Sequence, residues 1–169
     1  FKGSYYIFAS MTLGVWVSKD LAHWENRPLP EELPLYDYAP DVRVMGDYVY
    51  FCASRVLKNC DRYRTKDILN GPYEKIPGNF SFWDPNLFID EDGRVYFYWG
   101  CSNDMPICGT ELDPETMLPI GEKKNLIFGN PRERGYERVG EDNSVNAMSK
   151  ESQPFIEGAW MDKHDGKYY

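Results

Sequence analysis

Three acids occupy comparable places in this chain: Asp41 in "APDVRVMG", Asp84 in "WDPNLFIDEDG" and Glu157 in "EGAWMDKHDG". Asp84 and Glu157 each stand nine residues before a turn glycine, and Asp41 stands five before its own. Carboxyl groups repeated in this way suit acid–base chemistry, in which one gives a proton to a departing group and another activates water. A lone Asp-Pro opens turns without any chemistry. Three acids ahead of three similar hairpins argue instead for a shared site. Gathering like charges costs free energy, and stability alone seldom keeps such an arrangement.

The elements that must position them are strands. Leu87 and Ile89, then Val95, Phe97 and Trp99, alternate with other residues around Asp92-Gly93, and an Asp-Gly pair in that setting is the strongest short-range hairpin signal. The second strand of this hairpin has relatives in "GSYYIFAS" from Gly3, "GDYVYFCAS" from Gly46 and "GKYY" from Gly166, at spacings of 43, 47 and 73 residues. The polar stretch "GNPRERGYERVGEDNSVNAMSKESQ" enlarges the last spacing. "LGVWVSKDLAHWENRP", "RYRTKDILNGPYEKI" and "ICGTELDPETMLPIG" add strands and turns, and apolar residues recur at period two rather than 3.6. About four short strands in roughly 45 residues is the arithmetic of a β-propeller blade. A β-sandwich would not place an acid at one fixed point of each repeat. The expectation is an all-β propeller of about three and a half blades, a single domain over residues 1–169. First strands of blades line the axis, so Asp41, Asp84 and Glu157 should gather at one mouth of the funnel.

Composition narrows the partners. The 169 residues suffice for one domain with a core; they are 42% hydrophobic and 16% aromatic, with a net charge of -8. That charge lacks the electrostatic footprint of nucleic-acid binding, and no run approaches the roughly 18 apolar residues of a membrane span. Cys52, Cys60, Cys101 and Cys108 show no CxxC spacing, so no zinc site is expected, while a Cys101–Cys108 or Cys52–Cys60 disulfide stays open. "DEDG" at Asp90 lacks the later Glu of a calcium loop and reads as a hairpin turn, so no metal ligand is assigned. Asn79-Phe80-Ser81 fits a glycosylation sequon, and His23 and His164 lie in turn-like, solvated segments.

"YAPDV", "WDPNLFIDEDGRVYFYWG" and "FIEGAWMDKHDGKYY", with "VSKDLAHWEN" as the turn after the first blade, closely resemble the blade signatures of glycoside hydrolase family 43. The members of that family are five-bladed β-propeller enzymes acting on arabinose-, xylose- and sometimes galactose-containing glycans. The resemblance runs from Phe1 to Tyr169 in the right order. It implies an inverting glycosidase of α-L-arabinofuranosidase or β-xylosidase type, with Glu157 as general acid and Asp84 as its pKa modulator. Asp41 matches a residue near the sugar but outside the catalytic trio. The base of such enzymes precedes the first blade's hairpin. Here that hairpin glycine is Gly3, so the base is expected upstream of Phe1, and the propeller is expected to be incomplete at both ends, ending in early blade four. The 169 residues by themselves are therefore expected to be inactive.

The neighbours of the acids complete the reading. Phe155, Ile156 and Trp160 would give Glu157 the partly dry setting that favours a proton-holding carboxyl. Trp83 and Trp160 offer flat apolar faces to sugar C–H groups, or equally to a core, and Arg43 pairs with the acids or forms a rim salt bridge. Asp41, Arg43, Trp83 and Trp160 are accordingly the candidate substrate contacts. The resemblance implies no required cofactor, with room for a structural calcium ion in the funnel of the full-length protein. It implies plant-type oligosaccharide or polysaccharide side chains as partners and a secreted or periplasmic protein, a cytoplasmic one being the alternative. A non-catalytic glycan-binding propeller, retaining the acids as ligands for hydroxyl groups, is the competing function.

Overall fold

The computed structural model describes residues 1–31, 33, 38–55, 58–130, 132 and 154–169. Most of the polar stretch 129–153 lies outside them. Among the described residues every regular element is a strand, and no helix is long and apolar enough to cross a membrane. Three antiparallel meanders follow the chain in order. The first sheet holds β1 (Tyr5–Phe8), β2 (Gly14–Ser18) and β3 (Glu25–Pro28). The second holds β4 (Tyr38–Met45), β5 (Tyr48–Ser54), β6 (Cys60–Thr65) and β7 (Glu74–Phe80). The third holds β8 (Asn86–Ile89), β9 (Val95–Trp99), β10 (Ile107–Leu112) and β11 (Lys124–Ile127). A hairpin of β12 (Lys163–His164) and β13 (Lys167–Tyr168) comes last. The all-β expectation and the repeated strand order hold, but these sheets do not close into a ring.

The hairpins form where the glycines predict them, by different routes. Asp165 and Gly166 have φ of +48° and +73° between paired His164 and Lys167, the two-residue turn that matches strand twist. The Asp92-Gly93 signal instead ends a longer loop. There the Asp90 N–H donates to the Arg94 carbonyl at 2.9 Å, the Gly93 N–H donates to the Asp90 carbonyl at 3.0 Å, and only Gly93, at +85°, is left-handed.

The core lies between sheets, and β5 is its centre. Val49, Phe51 and Ala53 pack toward Val15 of the first sheet, while Tyr50 and Cys52 pack with Phe82, Leu87, Val95 and Phe97 of the third. A strand covered on both faces has no polar side to show, which is why "YVYFCAS" is almost entirely buried. Phe82 and Phe97 meet edge to face at 5.0 Å, and truncating a fully buried Phe of this kind costs about 3–5 kcal/mol. The buried Arg62 guanidinium donates to the carbonyls of Met117 and Gly78, tying the second sheet to a turn of the third. All four cysteines are free thiols, which closes both disulfide alternatives. The four thiols are spread among separate strands and loops, and three of them are buried. Asn79 of the sequon lies in β7 and donates to Asp61 at 3.0 Å.

Candidate active site

The inner strands β4 and β8 pack against each other, and the segment 154–161 follows alongside β8. Asp84 begins this region in an unusual conformation. Its φ is +48°, although a residue before proline favours extended backbone. Contacts hold it from two sides: its N–H donates to Ser54 Oγ at 2.9 Å, and its Oδ2 accepts from the Gly158 N–H at 3.2 Å. Left-handed strain of about 1–3 kcal/mol persists only where surroundings over-determine it.

Glu157 is fixed on both flanks. Ile156 exchanges two backbone hydrogen bonds of 3.0 Å with Ser102, and the Met161 N–H donates to Asn86 Oδ1 at 2.9 Å. The result brings Asp84, Cys101 and Glu157 together, with one potential ligand atom from each lying within 4.8 Å of the others. Cys101 Sγ is 3.7 Å from Glu157 Oε2. Burial first, and then the charges of Asp84 and Glu157, push the Cys101 thiol up to about 12. It therefore stays protonated near neutrality and donates to the carboxylates. Two carboxylates and a neutral thiol are a poor set for calcium, which takes six to eight oxygen ligands.

Asp41 does not open its strand; it lies inside β4 and is 6% exposed. Residues two apart share a face of a strand, and Arg43 accordingly meets Asp41 at 3.0 Å. Burial pushes the Asp41 carboxyl up, against the opposing pull of Arg43 and of the Leu87 N–H that it accepts. The Arg43 guanidinium in turn sits 4.3 Å from the Trp160 ring centroid. Asp41 is thus tied to the same region as Asp84 and Glu157, but from within the protein.

The equivalence of the three acids needs correction. Ala39 and Asp84 both precede proline, have φ of +47° and +48°, and donate their N–H groups to Ser10 Oγ and Ser54 Oγ. Two residues further on, Asp41 accepts the Leu87 N–H and Asn86 accepts the Met161 N–H. The structural counterpart of Asp41 is therefore Asn86, and that of Asp84 is Ala39. Counting back from the turn glycine misled because Gly46 opens its loop after paired Met45, whereas Gly93 stands near the end of the loop between Ile89 and Val95.

A cavity of about 450 Å³ opens beside Glu157, lined by Tyr98, Ile107, Leu126, Phe155 and Trp160 among others. Glu157 is exposed at its wall and Trp160 is 64% exposed; among the described residues Phe155, Ile156 and Trp160 line the space rather than cover the acid, so they do not form the dry setting expected around it. Trp83 is half-buried, and its carbonyl accepts the Gly100 N–H at 2.8 Å. Sequence reasoning missed Cys101, Ser54 and Asn86. For Asn86 a signal was present, since "APD" and "DPN" align on their prolines.

Comparisons with known proteins follow the same lines. The family model described as glycosyl hydrolases family 43 matches residues 1–169. Xylosidase/arabinosidase 43A of Humicola insolens is 26% identical over 182 residues, covering 91% of this chain and 50% of that protein. The chain thus spans about half the length of this relative. An exo-1,5-alpha-L-arabinanase from a bovine ruminal metagenomic library is similar in structure, with a TM-score of 0.64 at 18% identity over 99% of this chain and 83% of that one. A xylan beta-1,4-xylosidase from Bacillus halodurans C-125 gives 0.65 at 20% identity, over 99% of this chain and 34% of that one. At these identities the structural likenesses speak for the fold.

Proposed function

The chain belongs to glycosyl hydrolases family 43, and from that premise we propose that it carries the acid side of a glycosidase active site, within a protein that hydrolyses arabinose-, xylose- or galactose-containing glycans. Its three sheets and final hairpin are read as consecutive blades of a five-bladed propeller. Glu157 is the general acid, Asp84 its modulator, and the exposed Trp160 with Arg43 behind it forms part of the sugar's seat. Trp83 is a further sugar contact. Asp41, being buried, acts on the sugar through Arg43. Plant-type polysaccharide side chains are the natural substrates, and a secreted or periplasmic location follows from them.

The observation that carries this reading is the meeting of Asp84 and Glu157, 73 positions apart in sequence, with Glu157 at the wall of an open cavity. Their separation supports these roles. An inverting pair needs about 6.5–9.5 Å between acid and base to admit water, and these carboxyl groups approach within 4.8 Å. Asp84 is thus too close to be the water-activating base. The motif order of the family resemblance takes that base from a strand ahead of β1.

The test is hydrolysis of 4-nitrophenyl α-L-arabinofuranoside and β-D-xyloside by the whole protein, with the anomer first released followed by NMR. Inversion is expected. Retention would make Asp84 a nucleophile and overturn its assigned role. Glu157→Gln should lose about 10²–10⁴-fold on natural glycans and far less on the nitrophenyl glycosides, whose leaving group needs little protonation. Glycan binding without turnover would favour a non-catalytic propeller.

A further inference from the structure

The side chains of Asp41 and Asn86 perform one operation at two successive joints. Each stands two residues after a left-handed residue that precedes proline, and each accepts a backbone N–H from the next segment inward. Asp41 holds Leu87, three residues beyond Asp84; Asn86 holds Met161, four beyond Glu157.

Asn86 is fully buried, so it does not touch substrate. Met161 offers a donor, which fixes Oδ1 as the atom facing it. The Nδ2 of the same carboxamide is buried without a hydrogen-bond partner among the described residues. An amide that leaves a donor unpaired in the interior is a poor choice for stability alone; what it supplies is the bond to Met161. The Gly158 N–H also donates to Asp84 Oδ2 at 3.2 Å, so the proposed modulator itself holds the same segment.

We propose that Asn86 is a positioning residue, whose carboxamide sets where Glu157 stands relative to Asp84. The proposal rests on the glycosidase reading above and names a residue that reading does not use. Losing the Met161 bond frees the segment to shift, and a displacement of about 1 Å at a reacting group costs up to roughly 100-fold in rate.

The experiment compares Asn86→Leu and Asn86→Asp in the whole protein. Leucine fills the space without an acceptor; aspartate keeps an oxygen for Met161. Asn86→Leu should lower kcat on a natural oligosaccharide by at least about tenfold more than on the nitrophenyl glycoside, with KM little changed, and Asn86→Asp should restore the ratio between substrates. Should Asn86→Leu not fold, Asn86→Ser, too short to reach Met161, takes its place. Amide exchange at Met161 gives a readout independent of turnover: it should quicken in Asn86→Leu and not in Asn86→Asp, while exchange at Ile156 stays slow. Unchanged Met161 exchange in Asn86→Leu overturns the proposal whatever the enzyme does. Equal losses on both substrates also overturn it, and if Glu157→Gln still discriminates between them, the glycosidase reading survives. Absence of turnover by the wild-type protein sinks that reading and with it the catalytic meaning of Asn86.

Discussion

Cys101 Sγ lies 3.7 Å from Glu157 Oε2, and the charge of Asp84 acts on the same thiol. A cysteine in this position is an uncharged donor between two acids rather than a nucleophile. Reactive cysteines need positive surroundings that favour the thiolate, and here the surroundings do the reverse.

Cys101 should therefore alkylate slowly. With iodoacetamide at pH 8 its rate should fall well below that of a free thiol, because each unit by which a thiol is pushed up removes about tenfold of its thiolate. Asp84→Asn removes one of the opposing charges and should speed the reaction severalfold, as followed by peptide mass spectrometry. A wild-type rate equal to that of free cysteine would show that the carboxylates do not govern the thiol.

Arg43 is the cation partner of a buried carboxylate, so removing it should hurt more than removing both. Arg43→Met is expected to lower unfolding free energy by about 3 kcal/mol at neutral pH, the cost of stranding a buried charge, measured by urea denaturation. Burial raises the Asp41 carboxyl in the folded state, so its contribution favours folding most at low pH and is lost as pH rises through the folded value. The penalty of Arg43→Met should thus shrink on acidification. Arg43→Met/Asp41→Asn should recover most of the loss, and a double variant as weak as the single one would refute the pairing.

Asp90 behaves with the opposite sign. Lys163 Nζ at 2.6 Å, then the Tyr168 hydroxyl, hold its carboxyl down at about 2. A lowered folded value means stability that is present above the unfolded value of about 3.9 and lost as pH falls toward 2. Wild type should exceed Asp90→Asn in thermal midpoint at pH 7, and the gap should close between about pH 4 and pH 2. A constant gap across that range would mean that the carboxylate charge is not what ties β12 and β13 to the third sheet.

The strands were legible in the sequence because their signals are local. Alternation around Gly46, Gly93 and Gly166, with polar turns between, depends only on neighbours along the chain, and it predicted the hairpins and their repeat order. The pairing of Asp84 with Glu157 was legible for a related reason: both acids stand nine residues before the turn glycine of a similar hairpin, and similar motifs imply similar positions. What only the tertiary structure decided is the register between repeats and the contacts across them. Asp41 looked like a third copy of Asp84, yet the left-handed turns at Ala39 and Asp84 make Asn86 its counterpart. Loop length moves a glycine along the sequence without moving the strand it serves, so counting from the turn cannot fix register. Cys101 entered the site, and Asp90 found Lys163, through bonds that span 56 and 73 positions. No local pattern encodes such pairs; they exist only once the segment after Pro154 has docked against the third sheet.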